Sequence, residues 1–444
     1  MASVGGPLSC SSAATHLHSR QLLSNSLPLR RTRCRRNSAP SAAMSTDSPG
    51  ESTKLVTFLG KGGSGKTTAA VLAAQYYAKE GLRTCLVIHS QDPTANHLMG
   101  CKIGASPVLC SENLFAVRLE TTKMLLEPLD QMKKADTRVN LSQGILEGVV
   151  GEELGVLPGM DSIFSALEIE KLVNLLGRKR KHPDQDYNVV VYDGISTEET
   201  LRMIGAAERA RWYLKHLRSM AEKTDIGRLT APSVLKLMQE SMGSSRISGD
   251  GKISSEIWDD IELNLQKASA SFADPSRFRS FLVLDPSRPI SISSALRYWG
   301  CAIQAGTQIS GAFGFAPPLS PMSLTEVSEK ISPLSFALVP YLSTESPVDW
   351  DSVLNTLSDE VKGILDSSQS GTQPLVRFDS AKRTVTLFMP GFDKSEIKLY
   401  QYRGGTELLV EAGDQRRVIN LPSGLQGKVG GAKFVDGSLL VTLR

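Results

Sequence analysis

Eight consecutive residues, Gly60-Lys61-Gly62-Gly63-Ser64-Gly65-Lys66-Thr67, satisfy the pattern G-x-x-x-x-G-K-[ST]. Glycine-rich backbone of this kind turns successive N–H groups towards one point. The positive end of a following helix adds to that field, so the segment can cradle phosphate oxygens. Lys66 is the residue expected to reach the β- and γ-phosphates of a nucleotide, and the Thr67 hydroxyl to ligate Mg²⁺. Gly60, Lys61, Gly62, Gly63, Ser64, Gly65, Lys66, Thr67 and Thr68 are thus the expected binding residues for ATP. Two acids complete the candidate chemistry. Asp92 follows an apolar run and could hold an attacking water in line with the γ-phosphate. Asp193 closes Tyr187-Asn188-Val189-Val190-Val191-Tyr192-Asp193, a buried strand ending in an acid that would meet Mg²⁺ through its water shell.

Such residues work only if strands and helices hold them. Leu55-Val56-Thr57-Phe58-Leu59 precedes the loop and reads as a buried parallel strand. Thr68-Ala69-Ala70-Val71-Leu72-Ala73-Ala74 follows as a helix. Strands are expected at 54–59, 83–88, 114–119, 187–192, 280–284, 308–313 and 335–340, alternating with helical text. This pattern gives an α/β fold with a doubly wound, mostly parallel sheet over residues 54–355. Residues 200–278 break the rhythm as a helical insertion carrying Met203, Met220, Met238 and Met242. Residues 356–373 read as a linker rich in Ser and Gly. Beyond it, apolar residues alternate with period two, as in Val385, Leu387 and Met389. Turn dipeptides such as Gly404-Gly405 and Asp436-Gly437 punctuate these runs, so residues 374–444 are expected to form a small antiparallel β-sandwich.

Composition narrows the partners. The first 46 residues hold six arginines, ten serines and no acid, the composition of an organellar transit peptide. A plastid stroma is the expected compartment, with the mitochondrion as the alternative. The 444-residue chain has 50 basic and 46 acidic residues, and removing the leader leaves a net charge of −2. No basic excess then points to nucleic acid or to an anionic membrane. No 18-residue apolar run could span a bilayer, so the chain is not expected to be transmembrane. The six cysteines contain no C-x-x-C pair, and neither zinc nor a disulfide framework is expected.

The lysine after the first glycine, K-G-G-x-G-K-T, resembles the deviant Walker A of a group of dimeric ATPases. With Asp92-Pro93, Leu157-Pro158-Gly159-Met160-Asp161, and Asp193 followed by Thr197 and Thr200-Leu201-Arg202, the chain is similar to the arsenite-pump and tail-anchored-protein targeting ATPases. That resemblance implies a P-loop fold and a face-to-face homodimer in which Lys61 reaches the partner's nucleotide. It also implies hydrolysis depending on Asp92, Lys61 and Lys66, a first switch at Asp92 and a second from Gly194 to Arg202. Glu198-Glu199 stands where the family has Gly-His, which suggests slow or differently gated hydrolysis. The position usually contacting adenine aligns with Ser310 or Gly311. The zinc clasp and the arsenite cysteines of the family are absent.

The tail resembles the α-crystallin domain of small heat-shock proteins. Three stretches carry the likeness: Met389-Pro390-Gly391-Phe392-Asp393-Lys394-Ser395-Glu396-Ile397, Arg417-Val418-Ile419-Asn420-Leu421-Pro422, and Ala432 to Val441. Together the two resemblances imply an ATP-hydrolysing targeting factor or chaperone that shelters hydrophobic protein segments, with a transient membrane receptor as a further partner. Its client surface would be the methionine-bearing insertion. A nucleotide-sensing scaffold with little hydrolysis is the alternative, and a metalloid-pump ATPase subunit a third.

Overall fold

The computed structural model describes residues 53–120, 160–173, 187–223, 254–315, 324–340, 342, 348–367, 374–413 and 415–444. The proposed leader at 1–46, Leu157–Gly159, residues 224–253 of the insertion and 368–373 of the linker lie outside them.

Apolar runs that leave no polar face must be covered on both sides, and the central strands obey this. The strands are β1 (Lys54–Leu59), β2 (Thr84–Ile88), β3 (Val108–Ser111), β4 (Leu114–Arg118), β5 (Val189–Asp193), β6 (Phe278–Leu284), β7 (Ile309–Phe315) and β8 (Phe336–Val339). They form one sheet in the order β3-β4-β2-β5-β1-β6-β7-β8. Only the β3–β4 pair is antiparallel. Along β1, Leu55 and Leu59 enter one apolar layer, while Val56 and Phe58 enter the layer on the opposite face.

Helices cover both faces. On the Val56 side lies α1 (Lys66–Lys79), whose Ala69 to Ala74 are all buried. After α2 (Thr94–Met99), α3 (Met160–Val173), α4 (Thr197–Ile204), α5 (Ala206–Lys223) and α6 (Ser254–Ala273) comes α7 (Pro289–Ala305). Proline in the first turn of α7 matches a place that needs no N–H, and Gly306 ends the helix in the left-handed region at φ 96°. Then follow α8 (Leu324–Ile331), α9 (Trp350–Asn355) and α10 (Asp359–Asp366).

Helix α10 corrects the linker expectation. The Ser358 hydroxyl accepts from the Val361 N–H, and two acids occupy the first turn. Val361, Ile364 and Leu365 are buried in the layer under α1. Tyr77 donates to the Leu365 carbonyl at 3.0 Å and Tyr76 to Asp366 at 2.7 Å. The α/β unit thus extends to residue 366.

Helices α5 and α6 pack on one another within the insertion, burying Leu214, Trp258 and Ile261. Met203, expected among its client-facing methionines, instead sits in the core beside Leu201 and Ile204.

The tail consists of two sheets. One is ordered β14-β15-β10-β9, from strands Val429–Val435, Ser438–Leu443, Thr384–Phe388 and Arg377–Asp379. The other is β11-β12-β13, from Ile397–Tyr402, Glu407–Ala412 and Gln415–Asn420. Alternate residues, among them Val385, Leu387, Leu408, Val410 and Val441, fill a core of their own, as the period-two pattern requires.

Candidate functional site

The glycine loop runs from the C-terminal end of β1, at the middle of the sheet, into α1. Gly63 and Gly65 adopt φ of 78° and 97°, a region open to glycine without strain. A Cβ on Gly60 would fall inside van der Waals contact of the Val283 carbonyl on β6, so no larger residue fits there. Ser64 is buried, whereas Lys61, Gly62 and Gly63 face solvent. The Lys66 ammonium folds back on the loop, donating to the carbonyl of Gly60 at 3.2 Å and of Lys61 at 3.5 Å. Burial lowers its pKa, and the carboxylates of Asp193 and Glu198 oppose that shift.

Asp193 ends β5, next to β1 and β2. It is only 3% exposed, and its Oδ2 has no hydrogen-bond partner among the described residues. Burial raises its pKa to about 6, against the pull of the Thr67 hydroxyl and of Lys66. The sequence-predicted metal pair, Thr67 and Asp193, is therefore brought together. An orphaned carboxylate oxygen beside a hydroxyl, an ammonium and a loop of left-handed glycines suits a divalent cation bound to polyphosphate. Thr67 would hold Mg²⁺, Asp193 would hold its water shell, and Lys66 with the N–H groups of 62–67 would hold the phosphates. The ion would supply charge neutralisation on phosphate oxygens.

Asp92, the expected water-holding group, lies just before α2. It is exposed, and its Oδ1 accepts from the Thr94 N–H at 2.8 Å, at the start of α2. Hydrogen bonds from the Thr94 side chain and backbone lower its pKa. It nonetheless feels the charge of Asp193, so the two acids share one electrostatic neighbourhood. The segment expected as the first switch is tethered by Arg118 of β4, which donates to the Ser90 carbonyl and, at 3.0 Å, to Asn96.

The segment expected as the second switch, from Gly194 to Arg202, is joined to the loop directly. Thr197 Oγ1 accepts from Gly60 N at 2.8 Å and donates to Gly60 O at 2.7 Å. The Ser196 hydroxyl caps α4 through the Glu199 N–H. Glu199 takes a hydrogen bond from Ser162 at 3.1 Å and pairs with Arg202. Glu198 accepts from the Tyr298 hydroxyl of α7 at 2.6 Å. Burial would raise the Glu198 pKa, but bonds from Tyr298, its own backbone and Ser196 outweigh it and the pKa falls.

Two residues that border the site were not foreseen in the sequence. Ser310 and Gly311, the positions expected at adenine, both lie near the start of β7, with Gly311 packed under Ile364 and away from the C-terminal end of the strand. At that end stands Phe315, whose ring abuts Gly65. An aromatic closing a parallel strand opposite the loop was the available signal. Tyr298 carried none, because its partner lies 100 residues away.

A protein named "Putative arsenical pump-driving ATPase" in Chlorobaculum tepidum is 23% identical over 398 residues, covering 86% of this chain and 94% of that protein. One of the same name in Prosthecochloris vibrioformis is 25% identical over 401 residues, with the same coverage. "ATPase GET3A" of Arabidopsis thaliana is 28% identical over 203 residues, 45% of this chain and 51% of that protein. The description "HSP20-like domain found in ArsA" matches residues 368–443. The family described as "Anion-transporting ATPase" matches residues 53–299, more than half of the sequence, and the chain therefore belongs to that family of ATP-hydrolysing proteins.

Proposed function

We propose that the chain is a homodimeric, Mg²⁺-dependent ATPase of a plastid that shelters hydrophobic protein segments during targeting, with slow turnover. The observation carrying this reading is the solvent-facing Lys61 beside a phosphate cradle in which Lys66, Thr67 and Asp193 already converge without it. A cation on the exposed lip of the loop is free to complete the site of a second copy. Kinship with GET3-type ATPases supports the targeting role, and the arginine- and serine-rich leader supports the compartment. The client would lie against the insertion built on α5 and α6. A transient membrane receptor is the further partner of this reading. The test is co-purification with a 20-residue apolar helix added as a soluble fusion. ATP-dependent capture supports the reading, and capture equal with and without nucleotide contradicts it.

One observation favours a second reading, a nucleotide-sensing scaffold. The Asp92 carboxylate is engaged by Thr94 and the second switch is fastened through Glu198 and Glu199. Phosphate release separates the two, since a scaffold binds ATP without measurable turnover.

A further inference from the structure

Helix α7 touches both the phosphate site and the tail. On one side, Tyr298 donates to Glu198 at 2.6 Å. Glu198 is next to Thr197, which grips the first glycine of the P-loop through both its N–H and its carbonyl. On the other side, the immediate neighbours of Tyr298 carry the β-sandwich. Arg297 Nη2 donates to both oxygens of Glu396 at 2.7 and 2.8 Å, and its guanidinium lies 4.2 Å from the centroid of the Phe392 ring. Trp299 meets Phe388 edge-on with centroids 5.0 Å apart. Gly300 is too close to the Pro390 carbonyl and the Phe392 ring to admit a Cβ. Gly391, at φ 72°, lies equally close to the backbone of Leu296 and Arg297. One turn further, the Ile303 carbonyl accepts from Arg417 at 2.5 Å.

Contacts this close, backbone against backbone at two glycines, fix the tail to α7 as one packed unit. A helix moves as a rigid body over so short a span. The orientation of Tyr298 is therefore set by the seating of the tail, and that of Glu198 by Tyr298. We propose that the C-terminal β-sandwich is an internal regulator of the phosphate site, acting through α7 and the Tyr298–Glu198 hydrogen bond. In this arrangement Glu198 is a positioning residue. Its carboxylate neighbours Lys66, the group that must neutralise phosphate. Held by Tyr298, Glu198 keeps part of its charge engaged on α7. Released, it competes with phosphate for the ammonium and repels the polyphosphate. Docking of the tail then favours nucleotide entry, and anything that pulls the tail from α7 reports to the P-loop.

The test uses the full chain and four variants: Tyr298→Phe, Glu396→Arg, these two combined, and the exchange Arg297→Glu with Glu396→Arg. ATP hydrolysis is read as separate KM and kcat, with hydrogen–deuterium exchange followed in residues 194–204. Tyr298→Phe should raise KM for ATP about fivefold, the scale of one partly exposed charged hydrogen bond, with kcat changed less than about twofold. Glu396→Arg should do the same and speed exchange in 194–204, and the charge exchange should move both back towards the parental values. The two single changes combined should be no worse than either alone, because they break one chain of contacts. A parental KM in Tyr298→Phe overturns the proposal whatever the tail variants do. So does Glu396→Arg that loosens residues 384–397 while leaving 194–204 and KM unaltered.

Discussion

Replacing Asp193 by asparagine should make the nucleotide-free protein more stable while removing its response to Mg²⁺ and ATP. The carboxylate is 3% exposed, with one oxygen lacking a partner among the described residues. Burial lifts its pKa from 3.8 to about 6. At about 1.4 kcal/mol per pH unit this is roughly 3 kcal/mol held against the folded state. The asparagine amide inherits the unpartnered position and Lys66 loses a counter-charge, so about half of that is recoverable, roughly 1–2 kcal/mol. Because the folded pKa lies above the unfolded one, the penalty is complete above about pH 6 and vanishes below about pH 4. Thermal unfolding of nucleotide-stripped protein at pH 7.5 should show Asp193→Asn melting higher by a few degrees, on the order of 2–4 °C per kcal/mol for a unit of this size. At pH 5 the parental penalty falls to about half while the variant's own cost is unchanged, so the difference should nearly vanish. Added Mg²⁺ and ATP should raise the parental melting temperature and leave the variant's nearly fixed. A variant less stable at pH 7.5, or a difference that ignores pH, would refute the reasoning about the orphaned carboxylate.

Other perturbations separate the parts of the site. Lys66→Ala should weaken ATP binding at least tenfold by isothermal titration, whereas Asp92→Asn should bind normally and hydrolyse at least tenfold more slowly in a phosphate-release assay. Gly60→Ala should cost about 1–3 kcal/mol by denaturant melting, since its Cβ must displace the Val283 carbonyl. Deleting residues 374–444 should leave a folded α/β unit, because the tail has its own core. The truncated protein should nonetheless melt lower and bind an apolar dye through the uncovered Trp299 face of α7.

The central architecture was legible because its signals are local. Leu55-Val56-Thr57-Phe58-Leu59 and Val189-Val190-Val191 can only be strands covered on both faces, and the loop between β1 and α1 is defined by glycines whose φ values need them. The period-two tail was legible for the same reason. What escaped depends on tertiary contact. Val108-Leu109-Cys110-Ser111 is a short, mostly exposed edge strand held by β4 alone, with no alternation to betray it. Helix α10 is eight residues in a Ser-rich region, stabilised by Tyr76, Tyr77 and Arg279 from distant parts of the chain. Met203 reads as client-facing in the sequence because methionine adapts to varied apolar partners, whereas tertiary packing makes it core. At the site, the glycine cradle and the Thr67–Asp193 pair were readable from spacing. The Thr197 grip on Gly60 and the Tyr298 hold on Glu198 were not, since each joins residues more than 95 positions apart.

The central claim is that one subunit's cradle is completed by Lys61 of another. Specific ATPase activity, measured as phosphate released per subunit across a wide range of protein concentration, tests it most directly. If two copies form the working site, activity per subunit climbs with concentration to a plateau, and Lys61→Ala removes the climb while leaving ATP affinity within about threefold. Activity per subunit that stays constant at every concentration, with Lys61→Ala turning over at the parental rate, would contradict the account.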